Sequence, residues 1–393
     1  MKNRMSVFFL TIALSVIPLN VVAFGQGFHS EALPNPSADG SVQPNWSTAS
    51  DGSAILSWIE PAKNGDYSLR YAVRKGAAWS EARTVIAGRH FFRHPAEVPE
   101  VIQISDKLWM AHWVENVKES SDAEYIYVSS SVDGTHWSAP QMANKDRSEV
   151  QHGLVSMAAS GPNEASLFWL ETPKGDDGPG YLMRSVVDAS GKATKEERLD
   201  DDVCDCCPTA VARTAKGLIV AYRDHTPANI RDIAVLRLEN GKWSSSKIVH
   251  ADNWKLDACP VNAASVAAKG DHVALAWFTG ATEPAKVQML FSDDGGATLG
   301  KPIPVSTGAA LGDTSLALAD DGGAIVSWLE RNAAGDARLL AREISPAGVA
   351  GPVVQIAEGG KTPFGYPRIF HSSAGTFVAF GSGGKLQTTQ LRK

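Results

Sequence analysis

A chain of 393 residues is long enough to bury a sizeable core, as one large domain or as two ordinary ones. Its 44% hydrophobic and 20% charged residues exclude a disordered chain and a multi-span membrane protein, and 35 glycines with 21 prolines favour short strands joined by many turns. A net charge of -6 gives no general electrostatic reason to bind nucleic acid.

Residues 1–23 read as a secretory signal. Lys2 and Arg4 form a basic start, Phe8, Phe9, Leu10, Ile12, Leu14 and Ile17 an apolar stretch, and Val21 and Ala23 small residues for cleavage after Ala23. The mature chain from residue 24 is expected in the periplasm or outside the cell, with no membrane attachment after cleavage. Its thiols would meet an oxidising environment.

Beyond that signal, one pattern repeats. Apolar runs ending in an aromatic occur as AILSW to Trp58, LWMAHW to Trp113, ASLFW to Trp169, LIVAY to Tyr222, VALAW to Trp277, AIVSW to Trp328 and TFVAF to Phe380. A glutamate follows two residues later at Glu60, Glu115, Glu171 and Glu330, and Asp224 holds that place in the fourth copy. Recurring once per unit, these carboxylates read as strand-end caps. An apolar run precedes each aromatic; an alternating run, a turn and a closing run follow. Each unit therefore predicts four short strands. A four-stranded sheet cannot hide both faces by itself, whereas sheets set radially cover one another. The predicted fold is an all-β propeller of seven four-stranded blades, with six as the alternative, in a single domain over 24–393. The last unit lacks one strand, which residues 27–34 are expected to supply.

Two turns carry a sharper signature. Ser292, Asp294, Gly296 and Thr298 in SDDGGAT fit the Asp-box pattern, and Ser131, Asp133, Gly134 and Trp137 in SVDGTHW form a shorter relative. On these residues the chain resembles the sialidase-like, BNR-repeat β-propellers of secreted bacterial proteins. It also resembles members of that group in which a CDCC motif precedes a YRD and IRD stretch. The resemblance implies glycan chemistry: arginines clamping an acidic sugar, a tyrosine nucleophile and an aspartic acid. Carried over residue by residue, it points to Arg93 in FRHP, to Asp224 and Arg231 in YRDHTPANIRDI, and to Tyr366 and Arg368 in GYPRIF. The local reading of Arg223, Asp224, Arg231 and Asp232 is ion pairs bracing a blade loop. His112, in an apolar strand, reads as a satisfied core histidine.

All four cysteines fall in one region, as Cys204, Cys206 and Cys207 in VCDCCPT and Cys259 in DACPV. Cys207 and Cys259 each precede a proline in adjacent units, so they occupy equivalent places where the chain turns into an innermost strand. Three readings stay open. One is a structural disulfide, with a bridge from the CDCC segment to Cys259 favoured over a vicinal Cys206–Cys207 ring. The second is a thiolate-held metal, Cu(I) or zinc, with His152 adding an imidazole. The third is a redox-active thiol pair. Function is expected at one mouth of the channel, where a glycan or small molecule would bind. The alternative is a non-catalytic scaffold or metal-handling propeller built on the cysteines.

Overall fold

The computed structural model describes residues 27–62, 65–118, 123–173, 179–361 and 364–393; the export signal read from residues 1–23 lies outside them. Among the described residues no helix is long and apolar enough to cross a membrane. Strands account for the regular structure, in seven antiparallel sheets.

Chain order gives the blades directly. In blade 1 the inner strand Val42–Thr48 pairs with Ala54–Pro61, then Tyr67–Lys75, then an outer edge split into Ala78–Trp79 and Arg83–Arg89. Blades 2 to 6 begin at Glu100–Ser105, Gln151–Gly161, Ala210–Arg213, Ala264–Lys269 and Ala310–Leu318 and repeat the same neighbour-to-neighbour order. Blade 7 takes Arg368–Ser372, Gly375–Ser382 and Lys385–Arg392 from the end of the chain and its outer strand, His29–Leu33, from the beginning. His29 lies opposite Arg392 and Leu33 opposite Thr388, so the expected closure is present.

Radial stacking explains why the second strand of each blade is apolar on both faces. Side chains alternate across a strand. Leu167 and Trp169 therefore meet blade 2, while Phe168 and Leu170 meet Leu218, Val220 and Tyr222 of blade 4. Ile219 and Ala221 turn the other way, onto Leu275 and Trp277 of blade 5. Seven apolar clusters result, one between each pair of neighbouring blades. Trp58, Trp113, Trp169, Trp277 and Trp328 are fully enclosed in them. Truncating one such side chain costs about 3–5 kcal/mol.

The recurrent glutamates cap their own strand's tryptophan. Trp58 donates its indole N–H to Glu60 at 2.9 Å, Trp113 to Glu115 at 2.5 Å and Trp328 to Glu330 at 3.1 Å. Arg70, Arg89 and Arg338 supply the counter-charge. Blade 3 departs from this: Glu171 faces His152 and the Trp169 indole N–H has no partner.

The SDDGGAT turn closes on itself. Asp294 accepts the Thr298 amide at 2.8 Å and the Thr298 hydroxyl at 2.7 Å, and Ser292 Oγ accepts the Gly296 amide at 3.0 Å. Those bonds, the Thr298 amide first, hold the Asp294 carboxyl down at about 2. Gly296 has φ +88, and a Cβ there would run into Ile219. These turns join third to fourth strands. They therefore sit at the end of the ring opposite the segments that lead into the inner strands.

Candidate functional site

In an up-and-down blade the segment leading into the inner strand and the loop between second and third strands emerge at the same end. That end carries Arg93, His152, the CDCC segment, residues 224–232, Cys259, Tyr366 and Arg368. Its inner rim is unusual in backbone. Gln43, Leu154, Val261, Asp313 and Gly365, one per blade, have φ between +46 and +71, a conformation that costs non-glycine residues about 1–3 kcal/mol. Side chains along this rim collect main-chain polar groups. Gln43 donates to the Phe92, His94 and Glu97 carbonyls, Glu97 accepts the Leu154 and Val155 amides, and Tyr366 donates its hydroxyl to the Val261 carbonyl.

The four sulfurs do meet. Cys206 and Cys259 form a disulfide joining the segments that lead into blades 4 and 5, with Cα atoms 6.1 Å apart. Beneath it the Cys204 and Cys207 sulfurs, both fully buried, lie 2.7 Å apart; Cys204 Sγ is 3.7 Å and Cys207 Sγ 4.0 Å from Cys206 Sγ. Burial raises the Cys207 thiol, and Cys204 beside it raises it further. Burial also opposes ionisation of Cys204, but the Cys207 thiol and the Arg223 and Arg231 charges outweigh it and hold that thiol below its ordinary value. The sulfurs of Cys204, Cys206 and Cys207 all lie within 4.8 Å of one another. His152 does not join them. Its Nδ1 lies 3.1 Å from Glu171, in a separate group with Asp146.

The YRD and IRD residues brace the loop, but not as ion pairs. Arg223 is buried and donates to three carbonyls, those of Asn262, Arg231 and Phe278, with its guanidinium 4.9 Å above Trp254. Asp232 accepts the Asn253 and Trp254 amides, and Arg231 donates to the Leu256 carbonyl. Asp224 is left at the mouth. Burial, and then the carboxylates of Asp200 and Asp202, push its carboxyl up to about 6.

Beside these residues opens a cleft of about 490 Å³ lined by Asp202, Asp205, His225, Asn229, Arg231 and Asp257 among others. His225 is its centre. Its Nδ1 lies 2.6 Å from Asp202 Oδ1 and its Nε2 2.9 Å from Asn229 Oδ1, and Asn229 in turn donates to Asp257 at 3.2 Å. Burial opposes the imidazolium, but the bonds to Asp202 and Asn229 outweigh it and raise the His225 pKa.

A second cleft of about 330 Å³ lies across the ring, between blades 7 and 1, with Gln43, Arg93, Tyr366 and Lys385 in its lining and no carboxylate. Arg93 sits 4.2 Å over the Tyr67 ring and donates to its hydroxyl. Tyr366 reaches this cleft with an edge only, and burial raises its phenol well above the usual value. Arg368 lines neither cleft. It is half-buried near the axis beside Glu97, Glu100 and Asp313, whose carboxyls burial pushes up to about 8, 8 and 7. His112, expected to be a satisfied core residue, is buried with neither ring nitrogen hydrogen-bonded; Nε2 lies 3.9 Å from Glu100, and burial lowers its pKa to about 3.

The structure thus joins Asp224 and Arg231 to the cysteine mouth. Arg93 and Tyr366 share the opposite cleft, and Arg368 is set apart at the axis. Sequence reasoning does not single out His225, Asp202, Asp205 or Asp257. Signals for them exist all the same: His225 follows Asp224 directly, the acidic run LDDD ends two residues before the first cysteine, and Asp205 and Asp257 stand beside the sulfurs in CDCC and DACP.

No family model matches this chain, and no curated protein does. Solved structures share its fold. It is similar to a PL25 ulvan lyase bound to a GlcA and sulfated rhamnose unit, at 12% identity and TM-score 0.55 over 93% of this chain and 97% of that one. It is similar to a protein of unknown function from Dyadobacter fermentans, at 13% and 0.52 over 93% and 98%. A GH93 α-L-arabinofuranosidase of Fusarium graminearum matches at 11% and 0.50 over 94% and 98%. A Hadza microbial sialidase matches at 15% and 0.44; this chain spans 63% of that protein's length. At such identities the likeness is one of fold.

Proposed function

We propose that this is an exported glycan-directed propeller that takes a saccharide in the cleft of blades 3 to 5, with His225 as its working proton donor. The observation that carries the reading is His225 held between Asp202 and Asn229 inside that cleft. With oxygens on both ring nitrogens, both donate and the imidazolium is favoured; a glycosidic oxygen that displaces the Asn229 carbonyl takes the Nε2 proton, while Asp202 keeps the bond to Nδ1. A cationic acid beside carboxylates that accept sugar hydroxyls suits protonation of a glycosidic oxygen. Arg231 fixes one edge and, with its guanidinium fork, orients a hydroxyl or ring oxygen. The fold supports the substrate class, since the ulvan lyase and the arabinofuranosidase of similar fold act on saccharides.

The sugar is a neutral one on this reading. Asp202, Asp205 and Asp257 line the cleft against Arg231 and His225, so an anionic sugar would meet net repulsion. The three arginines that the resemblance would set around a sialic acid are spread over two clefts and the axis. Screening the mature protein against immobilised neutral and acidic oligosaccharides, with new reducing ends followed in solution, tests the reading. A neutral saccharide should be retained, and its affinity should fall at least about tenfold, or about 1.4 kcal/mol, in both His225→Ala and Arg231→Ala. Retention of sialosides alone, of nothing, or equally well by both variants sinks it.

A further inference from the structure

A surface disulfide over a buried thiol pair is more than a staple. Cys259 is exposed and Cys206 half-buried, so the Cys206–Cys259 bond faces solvent at the edge of the cleft. Cys204 and Cys207 lie beneath it with no access of their own. Sulfurs bound to one zinc at about 2.3 Å each stand about 3.8 Å apart. The 3.7 and 4.0 Å separations to Cys206 fit that spacing, but the 2.7 Å between Cys204 and Cys207 does not leave room for an ion between them, and Cys206 is already bonded to Cys259. The two buried sulfurs are direct neighbours. Their C-x-x-C spacing is one that closes a disulfide readily.

We propose that the four cysteines form a two-storey thiol–disulfide relay, in which the buried Cys204 and Cys207 pair exchanges electrons with the exposed Cys206–Cys259 bond and, through it, with thiols or disulfides of an external molecule. The inference is independent of the saccharide reading. Exchange proceeds in two displacements. The Cys204 thiolate attacks Cys206 Sγ; the Cys206–Cys259 bond breaks and Cys259 leaves as a thiolate that takes a proton. Cys207, having given up its proton, then attacks Cys204 Sγ, breaks the Cys204–Cys206 bond and releases Cys206 as a thiolate that is protonated in turn. The inner pair has lost two electrons and two protons, and the outer pair has gained both. No external oxidant enters this isomerisation. The exposed Cys206 and Cys259 dithiol that results can reduce an external disulfide, which restores the outer bond. In the reverse direction two external thiols open the Cys206–Cys259 bond and leave as a disulfide, and the Cys206 and Cys259 dithiol then reduces a Cys204–Cys207 bond by the same two displacements run backwards.

The geometry suits a relay in three respects. Each displacement joins sulfurs already within 4 Å. Arg223 and the main chain around it fix the buried pair, since the Cys204 amide donates to the Arg223 carbonyl and the Arg223 guanidinium is tied to three carbonyls of blades 4 and 5. The outer bond joins two segments belonging to different blades, so its opening need not break any strand pairing in either sheet.

The test uses the full mature protein poised in glutathione and glutathione disulfide buffers, acid-quenched, differentially alkylated and peptide-mapped. With one disulfide per chain, two isomers are expected, Cys206–Cys259 and Cys204–Cys207, with maleimide labelling the exposed pair only in the second. In Cys207→Ser the second displacement is blocked, so a Cys204–Cys206 bond should accumulate while Cys259 becomes labelled. Cys259→Ser should leave Cys206 unbonded to blade 5 and Cys204–Cys207 as the disulfide at equilibrium. The relay is overturned if the one-disulfide state holds Cys206–Cys259 alone at every buffer ratio, or if Cys207→Ser shows no Cys204–Cys206 bond. It is equally overturned if protein prepared without oxygen resists alkylation until a chelator is added, which would mark a metal-thiolate centre instead. Should Cys207→Ser fail to fold, the wild-type isomer ratio still decides.

Discussion

Glu330 of blade 6 and Asp224 of blade 4 stand at the same place in their repeats, two residues after the aromatic of the second strand, yet their surroundings are opposite. Glu330 is buried and satisfied three times over, by the Trp328 indole, the Arg338 guanidinium and the Gly308 amide, each at 3.1 Å. Asp224 is half-exposed, follows a tyrosine, and has the carboxylates of Asp200 and Asp202 as charged neighbours along with His225. Tyr222 donates its hydroxyl to Asp200 and accepts the Ser246 hydroxyl, so the cap is not needed. The difference teaches where to look in a repeat protein. A position that does the same job in several blades is part of the frame, and the blade that gives up the job has a side chain free for other work.

The frame should fail as a unit while the blade 4 mouth tolerates change. Deleting residues 382–393 removes a strand from the middle of blade 7 and strands His29–Leu33 without a partner. The expected outcome is loss of a cooperative thermal transition, or a melting temperature lower by at least about 10 °C, which for a domain of this size means several kcal/mol. A melting curve unchanged by the deletion would show that the ring does not depend on its closure. Alanine at the two equivalent positions gives the next largest contrast. Glu330→Ala strands a buried indole N–H and a guanidinium, and should cost about 2–3 kcal/mol by denaturant unfolding. Asp224→Ala should cost less than about 0.5 kcal/mol at pH 7, since burial and the Asp200 carboxylate already oppose its charge there. Equal losses would erase the distinction between frame and mouth.

What can be read in the amino-acid sequence follows the same division. The frame repeats, and repetition is what a sequence displays. Trp58, Trp113, Trp169, Tyr222, Trp277, Trp328 and Phe380 announce seven second strands, and a last unit one strand short announces the closure. The meeting of CDCC with Cys259 is also readable, because both precede the inner-strand prolines of adjacent units. Which sulfur makes the bridge is not. Cys207 is the register equivalent of Cys259, but the chain turns at Asp205 and Cys206, and beyond that turn Cys207 faces inward while Cys206 faces outward. Nor is the Asp202 and His225 contact readable: one comes from the outer edge of blade 3, the other from a loop of blade 4, and only the approach of two blades brings them to 2.6 Å. Nor does the repeat announce the axial carboxyls, since Glu97 and Glu100 come from the start of blade 2 and Asp313 from blade 6, at places that are not equivalent.

The smallest effect is the sharpest on sign. Burial and the neighbouring carboxylates raise the Asp224 carboxyl to about 6, from 3.8 in an unperturbed side chain. The folded state therefore holds this proton more tightly than the unfolded chain does. Its contribution to stability is fully present below about pH 4 and is lost as pH rises through 6, because above that value the fold must carry an unwelcome charge. Asparagine keeps the shape of the protonated acid and has nothing to ionise. Asp224→Asn should match the wild type at pH 4, gain on it between pH 4 and 6, and remain modestly more stable at pH 7, the gain being small because solvent screens a half-exposed group. Melting temperatures of the two proteins measured across that range decide the matter. A variant that instead loses ground as pH rises would mean that a cation holds Asp224 as Arg338 holds Glu330, and the mouth of blade 4 would then be one more piece of the frame.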